Sequence, residues 1–185
     1  MILHFKFLIY QFTRFLKNPN NPTYPDLSQS QKLLDVGFYF LAFSVLISVF
    51  IGSLVEFLKE FSFLNTVKVI EREDVVLHLI LGAMIIAPPI EEGIFRLQLG
   101  NFRNKAYFKY LFYVSALLFG WVHIFNFEFT SSHYVFIPII TLPQTVLGLV
   151  LGFIRIRYGF WYGVMLHFLY NTVFAGGFFI FEYDF

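Results

Sequence analysis

Glu91 and Glu92 stand side by side in Ala87-Pro88-Pro89-Ile90-Glu91-Glu92-Gly93-Ile94-Phe95-Arg96, inside one of the most apolar regions of the chain. Two carboxylates and a guanidinium in such surroundings need partners or a task. With the prolines in the first turn of a helix, or kinking one already begun, the residues after them continue as helix. Glu92 and Arg96 then lie four apart on one face, where the acid pairs with the guanidinium and holds it. Glu91 is rotated by about 100° and points elsewhere. One acid is structural and the other is available for chemistry.

Two histidines extend the set. Phe119-Gly120-Trp121-Val122-His123 puts Phe119 and His123 on one helix face, with Asn126 within a turn, and His167-Phe168-Leu169-Tyr170-Asn171 puts His167 and Asn171 one turn apart. At about 1.5 Å per residue, Glu91 and His167 come out near mid-bilayer and His123 further from the inner side, a difference for tilt or the Pro-Pro kink to absorb. A lone membrane histidine is more often a packed hydrogen-bonding group, so His78 and His133, which lack polar companions at helical spacing, are read as structural.

The chemistry open to Glu91, His123, His167 and Asn171 is hydrolysis. A carboxylate and a neutral imidazole around one water can take its proton as it attacks a carbonyl, while a second histidine and an amide donate to the oxyanion. In the other arrangement Glu91, His123 and His167 form a His₂Glu ligand set with an open position, as hydrolytic zinc requires. Both stay open. A zincin is excluded, because no His-Glu-x-x-His helix exists.

The elements that must position these residues follow from composition. Of 185 residues, 58% are hydrophobic, 22% aromatic and only 14% charged, with mean hydropathy +0.69. These values belong to an all-α polytopic membrane protein rather than a soluble domain. A net charge of +1 without a basic run gives no footing for nucleic acid. Zero cysteines remove disulfides, thiolate metal sites and a cysteine nucleophile.

Residues 1–35 read as an N-terminal amphipathic helix and a linker. Phe5, Leu8, Ile9, Phe12 and Leu16 fall on one side, whereas Lys6, Arg14 and Lys17, with no small-residue cleavage site, make a poor signal peptide. Such a helix lies on the membrane surface or packs on the core. Residues 36–185 form the membrane-embedded part, with about five spans. They are Val36–Val55, Val75–Leu99 with the Glu-Glu pair, Tyr107–Phe127, Tyr134–Ile154 and Tyr158–Phe181. Glu71-Arg72-Glu73-Asp74 places acid before the second span, as helix starts prefer. Gly148/Gly152 and Gly159/Gly163 are read as packing pairs. Lys6, Arg14, Lys17, Lys32, Arg103, Lys105, Lys109, Arg155 and Arg157 fall on one side of this arrangement, which predicts the N-terminus inside and the C-terminus outside.

Glu-Glu-x-x-x-Arg, then Phe-x-x-x-His, then His-x-x-x-Asn, in that order on successive membrane helices, resembles the CPBP family of CAAX proteases and bacteriocin-processing (Abi) enzymes over roughly residues 80–175. The resemblance implies an intramembrane endopeptidase in a bacterial cytoplasmic membrane, acting on protein or peptide substrates that are membrane-associated or lipid-modified. By the same resemblance Glu91 and His123 activate water, Glu92, Arg96 and Phe119 support the site, and His167 with Asn171 serves the oxyanion. The family is described both as metal-dependent and as glutamate-dependent, so the cofactor is either a divalent metal such as zinc or none. Two other classes compete. One is a non-proteolytic scaffold or bacteriocin-immunity protein of the same fold; the other is a proton-coupled transporter, which internal repeats would favour, and none is found between spans one to two and four to five.

Overall fold

The computed structural model describes residues 1–20, 26–60, 67–69, 78–128 and 130–182; side chains of 68–69, 78–80 and 178–182 lie outside the description. The architecture is all-helical. Helix α1 (Ile2–Lys17) is amphipathic, and Leu8, Phe12 and Phe15 bury its apolar side in the main core, against Phe112 and Phe153. Its apolar face therefore lies on the bundle.

Helix α2 (Gln29–Glu60) starts earlier and ends later than the expected Val36–Val55. Ser28 and Gln31 form a capping box at its start, which satisfies two N–H groups that a helix end leaves open. A wider-wound stretch over Asp35–Phe40 follows. At the other end, Lys59 reaches Glu56 at 2.9 Å. The start of the second span near Val75, and the acidic run Glu71–Asp74, lie outside the described residues. Its visible part is a wide-turned segment, His78–Ile86, that continues into α3 (Ala87–Phe95). The chain leaves the helix at Arg96 (φ −120°), so Leu99 belongs to the short α4 (Leu99–Phe102) and not to the span.

Helix α5 (Phe108–Val122) tightens through His123–Asn126 and then leaves as extended chain, with Phe127 and Glu128 pairing antiparallel to Val69 and Lys68. The fourth span is bent by 45° between Ser131–Ile140 and α6 (Leu142–Arg157). Pro143 has no N–H for the Ile139 carbonyl, and the chain breaks just before it, at Thr141, whose hydroxyl donates to the Ile137 carbonyl at 2.8 Å. After Gly159, whose φ of +114° suits glycine, α7 runs Phe160–Glu182. Gly159 is thus a turn residue and has nothing within 4 Å of where a Cβ would stand, contrary to the packing expected of it.

Among the described residues, two helices, Gln29–Glu60 and Phe108–Asn126, are long and apolar enough to cross a bilayer, and the bent pair makes a third if counted as one span. The chain is a polytopic membrane protein. Glu91 lies on α3, at the end of the run from His78, and His167 on α7. Buried α6 is the hub: Gly148 and Gly152 let it approach α5, where a Cβ on Gly152 would stand 2.7 Å from the Phe112 ring.

Gly152→Leu should therefore overpack this contact and lower stability by about 1–3 kcal/mol. Gly52→Ala in α2, where nothing lies within 4 Å, should be neutral or stabilising by up to about 1 kcal/mol. Thermal melts in detergent read both, and the opposite order would refute the close approach.

Candidate functional site

Pro88 and Pro89 occupy the first turn of α3, directly after the wide-turned run, and the helix delivers Glu91, Glu92 and Arg96 within two turns. Its end is held by side chains of other helices. Arg155 donates from Nε to the Arg96 carbonyl (3.1 Å) and from Nη2 to the Leu97 carbonyl (3.2 Å), and Ser115 Oγ donates to the Phe95 carbonyl (2.7 Å). These are the carbonyls that a helix C-terminus leaves open.

Glu92 and Arg96 pair at 3.2 Å, and both are fully buried. The guanidinium lies 3.7 Å over the centroid of the Phe119 ring, so an aromatic face compensates part of a charge whose Nε and Nη2 have no hydrogen-bond partner among the described residues. Glycines make the room. A Cβ on Gly148 would stand 3.1 Å from both Arg96 Nη2 and Phe119, and one on Gly163 would stand 3.2 Å from Glu92 Oε2.

The same Glu92 Oε1 accepts from His167 Nδ1 at 3.1 Å. His123 Nδ1 donates to the Phe119 carbonyl at 2.7 Å. Each imidazole thereby spends its Nδ1 proton outward and turns Nε2 toward Glu91. Glu91 Oε2 lies 4.0 Å from His123 Nε2 and 3.8 Å from His167 Nε2, and it has no hydrogen-bond partner of its own among the described residues. The Phe119 ring packs edge-on against both imidazoles, at 4.8 and 5.6 Å between centroids.

Gaps of 3.8–4.0 Å are too long for a direct hydrogen bond, yet one water about 2.8 Å from each atom spans them. Glu91 keeps 25% side-chain exposure and His123 18%, against 2% for His167, so the cluster is open along its Glu91–His123 edge. Glu91, His123 and His167 are the right donor types for zinc. The outward Nδ1 bonds would also suit ligands. As placed, however, no group of three His, Asp or Glu side chains among the described residues is gathered to hold a metal ion.

The structure thus brings together Glu91, Glu92, Arg96, Phe119, His123 and His167. Asn171, one turn beyond His167, donates one Nδ2–H to the Ala83 carbonyl at 2.7 Å. Asn126 is exposed at the end of its turn, and His133 is buried in a local cap, with Nδ1 accepting from the Thr130 N–H. Sequence reasoning missed Arg155, Ser115 and the contact of Gly163 with Glu92. Only Gly163, as a small residue on a membrane helix, left a signal.

A family model described as type II CAAX prenyl endopeptidase, Rce1-like, matches residues 73–173, more than half of the chain and every residue of this cluster. No curated protein and no solved structure matches it.

Glu92→Gln leaves the buried Arg96 without its counter-charge and should lower stability by about 3–5 kcal/mol. Glu91→Gln removes a carboxylate that makes no direct hydrogen bond, and should move the melting temperature far less. Equal losses in detergent melts would show that the two acids are not separated in this way.

Proposed function

As the chain belongs to the Rce1-like family of type II CAAX prenyl endopeptidases, a peptidase family of integral membrane proteins, we propose that it cleaves peptide bonds within the membrane with a water activated by Glu91 and His123. The observation that carries this reading is the facing of Glu91 Oε2 by two imidazole Nε2 atoms across one-water gaps. In a neutral His123 with its proton on Nδ1, Nε2 is a lone pair, so ring and carboxylate can both accept from the same water.

The steps balance without any other group. Water oxygen bonds to the scissile carbonyl carbon as its proton passes to the Glu91–His123 pair, and the carbonyl oxygen becomes the oxyanion. With Nδ1 tied to Glu92, His167 presents Nε2 to that oxyanion as its hydrogen-bond donor. The C–N bond then breaks and the proton taken from water goes to the leaving amine. Phe119, packed against both rings, keeps them from turning away.

A helical substrate shields its carbonyls within its own hydrogen bonds, so the segment cleaved is extended. The family description carries a prenylated CAAX tail; the substrate class proposed here is a membrane-associated or lipid-modified peptide. The basic flanks orient the chain with its N-terminus inside and its C-terminus outside.

Glu91→Gln and His123→Ala should each lower peptide hydrolysis by about 10²-fold or more, the range for loss of a general base, with melting close to the parent. Chelator treatment followed by elemental analysis of the same sample should leave the rate intact. Hydrolysis retained in both variants would remove the assignment, and hydrolysis lost together with a bound metal would replace it with the metal-dependent form.

A further inference from the structure

The segment before α3 has a difficulty that the sequence writes into it. His78–Ile86 is wound in wide turns, in which a carbonyl receives the N–H five residues on. For the Ala83 carbonyl that residue is Pro88, which has no N–H. Tightening to four-residue spacing would move the fault rather than remove it, because Met84 and Ile85 would then face Pro88 and Pro89. A carbonyl left alone in hydrocarbon costs several kcal/mol by general estimates, so a partner must come from outside the helix.

The partner is Asn171. Its Nδ2 donates to the Ala83 carbonyl at 2.7 Å, across 88 residues of sequence. Along α7, Asn171 is one turn from His167, which is tied through Nδ1 to Glu92 on α3. Two ties one turn apart on α7 therefore meet the helical run that carries Glu91. Arg155 and Ser115 hold the far end of that run, and the Asn171 tie is the one on the near side of the prolines. Together they set both the depth and the rotation at which Glu91 Oε2 faces His167 Nε2 across 3.8 Å.

We infer that Asn171 is a positioning residue whose amide takes the hydrogen-bond place Pro88 leaves empty on the Ala83 carbonyl, and so holds the Pro-Pro step from which Glu91 faces the histidines. The catalytic consequence rests on the hydrolytic reading above; the structural tie does not. Direct donation to the oxyanion is the competing role for this side chain, and the two roles separate in a double-mutant cycle.

The cycle combines Asn171→Leu with Pro88→Ala, which gives position 88 an N–H for the same carbonyl. Alone, Asn171→Leu should lower both the melting temperature in detergent and kcat, the latter about tenfold or more, with KM changed much less. In the Pro88→Ala background both losses should shrink several-fold, since the carbonyl no longer depends on Asn171. Losses of the same size in both backgrounds, or a fall in kcat with no change in melting, would overturn the tie in favour of an oxyanion donor. If Asn171→Leu fails to fold, folding of the double variant supports the tie, and failure of both refutes it. Should the parent chain show no hydrolysis, that result counts against the proposed activity, while the melting arm still decides the role of Asn171.

Discussion

The buried pair of Glu92 and Arg96 is the constraint on which the rest of the site depends. Taking both charges out of water costs several kcal/mol apiece, and a single 3.2 Å contact does not repay that by itself. The structure recruits further help from every side. His167 shares the same carboxylate oxygen, Phe119 offers its ring face to the guanidinium, and Arg155 caps the carbonyl of Arg96 itself. Because these helpers come from α5, α6 and α7, satisfying one buried pair fixes the relative placement of four helices. Glu91 gains its position from this arrangement without taking part in it.

Close approach is the second condition. Aromatic rings fill the main core, yet the helices bearing the site come together through glycines. Gly148 admits Arg96 and Phe119, Gly163 admits Glu92, and Gly120 lies so near Thr145 that a Cβ there would overlap it. In a bilayer, where lipid competes with protein for apolar faces, such backbone proximity supplies packing that bulk hydrophobicity does not.

Much of the site was legible because helical geometry is local. Spacing of four places Arg96 with Glu92, and His123 with Phe119, whatever the tertiary fold. That Glu91 and Glu92 face different partners follows from a rotation of one residue. What spacing could not show was contact between distant elements. Nothing near Asn171 announces Ala83, and nothing near Arg155 announces the end of α3. Gly159 resembled Gly163 in composition and differed in backbone conformation, which a list of small residues does not record. For α1, the apolar face was evident, but lipid and protein accept the same face. Phe15, one of its most buried side chains, lay just off the stripe drawn from the sequence.

The position of α1 bears on how the chain is assembled. It is made before its partners: Tyr39 and Phe43 of α2 pack on Phe5 and Phe12, and only much later do Phe112 and Phe153 follow to pack on Phe15. Until α5 and α6 are delivered, the Phe15 side of α1 lacks its protein cover, and the interfacial layer of the bilayer is a surface that can receive it. Its two-sided pattern thus serves two surroundings in succession. The core around α1 closes only when α6 supplies Phe153, which makes its full docking a late step in folding.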